Sequence, residues 1–130
     1  MVTDSSSHLM WGRCAVGQTW RDNGCSGTAT RHAWAAAQAL VQDLNRTGTH
    51  FYNDWRLPSL RELATITERR CINPRINLNV FPSTPPATFW TATDRVRMNE
   101  NAYVLDFAAG GVGDDVKTAT HHVRLVRNAP

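Results

Sequence analysis

The sequence predicts an α+β domain, with two helices in its first half and an antiparallel sheet in its final third. Three observations carry this. Residues 32–48, HAWAAAQALVQDLNRTG, set Trp34, Ala37, Val41 and Leu44 at helical spacing against an alanine-rich background. In NDWRLPSLREL, residues 53–63, Ser59 and Glu62 have the spacing of a capping box: the hydroxyl accepts the N–H of Glu62 while the carboxylate reaches back to the N–H of Ser59. Further on, TFWTAT, NAYVLDFAAG and HHVRLVRN alternate apolar and polar positions, the period of a half-buried strand.

In chain order, HLMWGR reads as a short first strand, and the Gly, Asp, Asn and Ser content from Gly17 to Gly27 as an ordered loop. The first helix stops at Gly48. Pro58 has no N–H to leave unpaired and biases Leu57 towards an extended conformation, so the chain enters the second helix from a strand-like approach. That helix begins at Leu60, spends Leu63, Ile66 and Thr67 on the core and ends near Arg70. CINPRINLNVFPSTPPATFW is too rich in proline for regular structure, and Ile72, Ile76, Leu78, Val80 and Phe81 read as anchors for a long loop. Tyr103, Leu105 and Phe107 share one strand face, as do Val123 and Leu125. AAGGVGDD has turn chemistry, and Val112 to Lys117 reads as a further short strand.

A chain of 130 residues fits one domain, residues 1–130, with a core of its own. With 42% hydrophobic and 19% charged residues and a mean hydropathy of −0.40, it is neither a disordered tail nor a membrane protein. No run approaches the roughly 18 apolar residues of a spanning helix, and MVTDSSSHLMW has no basic region followed by an apolar one. For a secreted, periplasmic or cell-surface protein, the export signal would therefore lie outside this chain. The net charge is +3, built from thirteen arginines and one lysine. Arginine suits a planar grip on carboxylate, phosphate or sulfate, but GC-rich coding gives the same bias. No basic run, zinc-finger spacing or aromatic RNA-binding signature accompanies it, so nucleic acid is not an expected partner. Cys14, Cys25 and Cys71 are not spaced as a metal or redox pair, and no histidine cluster completes a zinc set. Cys14 and Cys25 bracket the glycine-rich CAVGQTWRDNGC, where a disulfide would clip a loop with few apolar anchors and would imply an oxidising compartment. Cys71 is then free, or competes for one of the two.

Taken in order, VTDSSSHLMW, RCAVGQTWRDNGCSG, the helix near Trp34, DWRLPSLREL, INPRINLNVFPSTPPATFWTAT, AYVLDFAAGG and VRLVR resemble the family named after the C-terminal module of the Legionella collagen-like adhesin. The similarity covers nearly the whole chain, and the Trp-Arg-Leu-Pro…Glu-Leu stretch with the late Phe-Trp is its specific part. That family is similar to C-type lectins and to the formylglycine-generating enzyme. The resemblance implies two helices packed on a twisted antiparallel sheet with long ordered loops, on a secreted or surface-attached bacterial protein. It also implies a binding scaffold, for sulfated glycosaminoglycans or for protein receptors, with variable positions in the last third.

Trp55, Arg56, Leu57, Pro58, Ser59 and Glu62 are expected to be structural, with Arg56 paired to a carboxylate or capping carbonyls. Catalysis is not expected. The reactive cysteine pair of the formylglycine-generating enzyme would fall in its late segment, and no cysteine follows Cys71. The histidines at 8, 32, 50, 121 and 122 sit in no nucleophile motif, and adjacent His121 and His122 point to opposite strand faces. Asp114 and Asp115 read as a solvated turn, since calcium wants six to eight oxygens and no repeated acidic loop supplies them. No metal or cofactor is expected. Candidate ligand contacts are Arg69, Arg70 and Arg75 around the end of the second helix, and Arg95, Arg97, Asn99, Asn101 and Tyr103 in the hairpin loop TDRVRMNENAY. There Arg95 and Arg97 would share one side of an extended segment, or pair with Asp94 or Glu100. The expected partner is an anionic polysaccharide, or a surface protein or further copies of the chain. Five tryptophans in a domain this size are a cue for a protein interface.

Overall fold

A computed structural model describes residues 1–48 and 51–130. It contains strands β1 (Val2–Asp4), β2 (Leu9–Trp11), β3 (Thr19–Arg21) and β4 (Gly24–Ser26), helices α1 (Trp34–Thr47) and α2 (Leu60–Ala64), and strands β5 (Thr88–Arg95), β6 (Met98–Asp106), β7 (Val112–Val116) and β8 (Val126–Asn128). They form antiparallel sheets in the orders β1-β2-β8 and β5-β6-β7, with β3-β4 as a separate hairpin. The architecture is α+β, as the sequence indicates.

The β5–β6 hairpin is the middle layer. Adjacent residues of a strand point to opposite faces, and here both faces are apolar. Phe89 and Leu105 are cross-strand partners and enter one core with Phe107, Leu63, Ile76, Phe81, Trp11 and Val126. Trp90 and Val104, the next pair, enter a second core with Ala37 and Val41 of α1, Trp55, Leu57, Val123 and Leu125. Tyr103, further along the Leu105 face, stays partly exposed.

Segment 121–126 stitches the sheets together. His122 accepts the N–H of Trp90 at 2.9 Å and donates to Thr88 at 3.1 Å. Val123 and Leu125 accept from Val16 at 2.8 Å and from Gly12 at 2.9 Å, and Val126 exchanges two backbone bonds with Arg56. Between the apolar positions lies Arg124, fully buried. It donates to the carbonyls of Gly12 at 3.0 Å and Arg13 at 2.8 Å and to the Thr84 hydroxyl at 2.8 Å. Its guanidinium also lies 4.8 Å from the ring centre of Phe81 and 5.6 Å from that of Phe89. Carbonyl dipoles and ring faces thus replace water around a cation that has no carboxylate partner among the described residues. Burial pushes Arg124 down to about 9, which leaves it charged at neutral pH.

Several boundaries differ from the sequence reading, each for a local reason. The first strand begins only at Leu9, because His8 has a φ of 58°, and β1 pairs with it from the N-terminal side. The expected loop 17–27 contains the β3–β4 hairpin, turned at Asp22 and Asn23 with φ of 53° and 62°, a left-handed pair that short polar residues tolerate. Helix α2 ends at Ala64 instead of near Arg70. The hydroxyls of Thr65 and Thr67 donate to the carbonyls of Glu62 and Ala64, and the backbone shifts to three-residue bonds, as expected where short hydroxyl side chains compete with a helix. Of the expected loop anchors, Ile76 and Phe81 are buried and Val80 packs on the core, but Ile72 and Leu78 are 79% and 46% exposed. HHVRLVRN is a strand only at Val126–Asn128. Val112–Val116 is the expected extra strand, so Asp114 and Asp115 lie within a strand and not in a solvated turn.

Cys14 and Cys25 are bonded, with Cα atoms 5.5 Å apart, and Cys71 is free. β3 contributes no buried residue, so the bridge holds a hairpin that packing alone would hold weakly. Replacing both bridged cysteines by alanine should lower the unfolding free energy by roughly 3 kcal/mol on the chain-entropy account. Denaturant titration of the double variant checks this; an unchanged midpoint would mean that the loop is fixed without the bridge.

Candidate functional site

The corner at residues 55–62 is fixed from several sides. Asn45, near the end of α1, clamps the backbone of Trp55, donating to its carbonyl at 2.8 Å and accepting its N–H at 2.9 Å. The indole is buried in the second core, edge-on to Tyr52. Arg56 makes a bidentate pair with Glu62 at 2.6 and 2.8 Å and reaches Asn128 Oδ1 at 2.8 Å. Glu62 Oε1 also accepts the N–H of Ser59 at 2.8 Å, and Ser59 Oγ accepts that of Glu62 at 3.1 Å, completing the capping box. Thr93 Oγ1 accepts the next free amide, that of Leu60, at 3.0 Å. Donation from Arg56, ahead of that from Ser59, holds the Glu62 carboxyl below its ordinary range. The side chains of Arg56, Ser59 and Glu62 are thus engaged in holding the fold.

The hairpin candidates occupy the uncovered part of the Tyr103 face. Arg95 donates to Asp114 Oδ1 at 2.7 Å, Asn101 donates to Oδ2 of the same carboxylate at 2.8 Å, and the Arg95 guanidinium lies 5.9 Å from the Tyr103 ring centre. Donation from Asn101, followed by the charge of Arg95, holds Asp114 below the ordinary carboxylate value. Arg95 therefore pairs with Asp114, not with Asp94 or Glu100; Asp94 takes Lys117 at 2.6 Å. The connection is shorter than the sequence indicates, because β5 and β6 are paired from Arg95 and Met98 outward and only Val96 and Arg97 form the turn. Arg97 has a φ of 66°, so it does not share a side of an extended segment with Arg95. Asn99 is exposed beside it.

Arg69, Arg70 and Arg75 lie at the other end of β6, about 30 Å away for a nine-residue strand. The Arg75 backbone donates to Phe107 at 2.6 Å and its carbonyl accepts from Glu68 at 2.9 Å. Its side chain packs on Gly110, where an added Cβ would meet Arg75 Cδ at 2.9 Å, and the φ of +81° there also favours glycine. Thr67, Glu68, Arg69, Arg75, Ala109 and Gly110 line a depression of about 260 Å³. Among the described residues the Arg75 side chain makes only a 3.3 Å hydrogen bond to the Arg69 carbonyl, and its buried Nε has no acceptor. Among the described residues Arg69 and Arg70 make no side-chain hydrogen bond or ion pair. The structure thus keeps the two arginine groups apart, and only the Arg69–Arg75 group retains unspent donors around a concavity.

His121 bonds to Thr88 Oγ1 and, at 2.8 Å, to Asp115, and it packs edge-on against Trp90. His122 lies on the other side, against Phe89, and burial followed by the charge of Arg31 lowers its pKa. His50 lies outside the described residues. The tryptophan cue weakens, since Trp11, Trp55 and Trp90 are core residues and only Trp20 is exposed, at 42%. Residue-type reasoning missed Asn45, Thr93, Arg124, and the pairing of Arg127 with Asp54 at 2.6 Å. For Arg124 a signal existed, namely a cation alternating with valine and leucine in VRLVR.

No helix among the described residues is long and apolar enough to cross a membrane. A family profile described as the Lcl C-terminal domain matches residues 1–127, and no curated protein matches the chain. The chain belongs to the Lcl C-terminal domain family, an adhesin-related domain whose kinship points to a surface location and a non-enzymatic role.

The Arg56–Glu62 pair should appear in acid unfolding. Because the folded Glu62 value is depressed below the ordinary 4.5, the unfolded chain takes up the proton first, so the stabilisation is complete above that value and is lost as pH falls through the folded one. Glu62→Gln should therefore melt below the parent at pH 7 and close much of the gap at pH 3, as read by circular dichroism. An equal gap at both pH values would remove the pair from the stability account.

Proposed function

We propose that the domain is a secreted or surface recognition module that binds anionic polysaccharide, with Arg69, Arg70 and Arg75 as its principal contacts. The observation that carries this reading is the depression lined by Arg69 and Arg75, whose guanidinium groups make, among the described residues, a single 3.3 Å hydrogen bond, from Arg75 to the Arg69 carbonyl. A guanidinium with free donors suits sulfate or carboxylate, and arginine makes such contacts bidentate. By contrast, the charge of Arg95 is already paired with that of Asp114.

A second reading assigns the opposite end of β6 to a protein partner or to another copy of the chain. Its support is the cluster at the hairpin tip, where Val96 and Met98 are exposed next to Arg97 and Asn99, with Asn101, Tyr103 and exposed Val116 behind them. Apolar side chains edged by amides and an arginine are the composition of a small interface.

Retention on immobilised heparin separates the readings. Arg69→Ala with Arg70→Ala should elute at markedly lower salt than the parent, because exposed ionic contacts are screened, while Arg95→Ala with Arg97→Ala should elute as the parent does. Loss confined to the second pair would move the site to the hairpin tip. No change in either would remove the anionic reading.

A further inference from the structure

We propose that Trp20, backed by Arg13 and adjoining a depression lined by asparagines, forms a stacking subsite for a neutral pyranose ring of a saccharide chain. Only the class of ligand rests on the reading above; the residues are a separate set.

Trp20 differs from the other tryptophans. Trp11, Trp55 and Trp90 are each at most 4% exposed, and Trp34 is half-buried under Lys117, whose Nζ lies 4.2 Å from the ring centre. Trp20 is 42% exposed on a strand with no buried residue. It is nonetheless held in place. It pairs across the hairpin with Cys25, which the disulfide fixes to Cys14, and the Arg13 guanidinium lies 4.4 Å from its ring centre. Arg13 in turn donates Nε to the Val80 carbonyl at 2.8 Å and a terminal nitrogen to that of Asn79 at 3.0 Å. The clamped cation lies over the indole, and 42% of the residue's surface remains exposed to solvent.

That geometry suits a sugar. A pyranose carries an apolar face of C–H groups with partial positive charge, which complements the negative π-face of an indole, and its rim of hydroxyls needs hydrogen-bond donors and acceptors. Both are at hand. The other terminal nitrogen of Arg13 has no acceptor among the described residues. The loop that Arg13 grips continues into a depression of about 290 Å³, where Asn73, Asn77 and Asn79 lie beside exposed Ile72 and Leu78. Asn77 Oδ1 is occupied by the N–H of Asn79 at 2.9 Å, which leaves its amide N–H groups for a ligand. Amides can donate and accept in one step, as adjacent hydroxyls require, and an apolar lining with a few fixed polar groups is the usual make-up of a small-molecule site. The same stretch, residues 67–79, contributes to the lining of both this depression and the Arg69–Arg75 one. One chain could therefore place a charged group in the first depression and a ring on Trp20.

The test follows the five indole N–H resonances of the wild-type domain by NMR during titration with neutral β-linked tetrasaccharides of glucose, galactose and N-acetylglucosamine. At least one should shift the Trp20 resonance while those of Trp11, Trp55 and Trp90 stay still. Trp20→Ala should weaken that binding at least tenfold, Trp20→Phe should weaken it less, and Arg69→Ala with Arg70→Ala should leave it unchanged. No Trp20 shift with any of the three, or equal affinity in Trp20→Ala, overturns the proposal and leaves the heparin result standing on its own. A Trp20 shift that follows protein concentration and ignores saccharide assigns the indole to self-association and likewise overturns it.

Discussion

The domain is organised around a hairpin that is apolar on both sides. Phe89 and Trp90 are consecutive, as are Val104 and Leu105, and each pair sends one side chain to each core. A sheet of this kind cannot stand at a surface, because burying either face alone would leave large aromatic area in water. Everything else follows as cover. Helix α1 and the Trp55 corner close one side. The short α2, β2 and the loop through Ile76 and Phe81 close the other.

Covering both sides of one hairpin from segments far apart in sequence leaves polar backbone near the seam, and arginine does much of the joining. Arg13, Arg56, Arg75, Arg95, Arg124 and Arg127 each engage an acceptor elsewhere in the domain, several of them backbone carbonyls. Arginine suits this role because it stays charged, offers several donors in a plane and can lie against aromatic faces. The arginine-rich composition is therefore to a large degree internal construction. What remains for a partner is the smaller set whose donors are unspent, and this places Arg69 and Arg70 ahead of Arg95.

Much of the fold was legible in the sequence because its signals are local. The face of α1, the capping box at Ser59 and Glu62, the alternation from Thr88 to Phe107 and the Cys14–Cys25 bridge each depend on neighbours within a dozen or so residues. What escaped is decided by particular pairings that residue type and spacing do not specify. The end of α2 is decided by threonine hydroxyls and by the Glu68–Arg75 backbone bond. β1 is a strand because β2 lies beside it. The candidate site was legible as a list of residues and not as an arrangement: spacing gave two arginine groups, while only the topology puts them at opposite ends of β6, and only the ladder brings Asp114 to Arg95.

β1 and β8 both pair with β2, so residues near the two ends of the chain sit in one three-stranded sheet. This has a mechanical meaning for a domain of an adhesin-related family. Tension entering at the N-terminus meets β1 in an antiparallel hairpin with β2, a geometry that peels one rung at a time and yields readily. The next rungs are held more firmly, since the guanidinium of Arg124 anchors Gly12 and Arg13 and the bridge from Cys14 to Cys25 keeps the residues between them from extending. The domain thus carries a compliant outer rung in series with a stiff catch, which would let it give slightly under load before its two cores are strained.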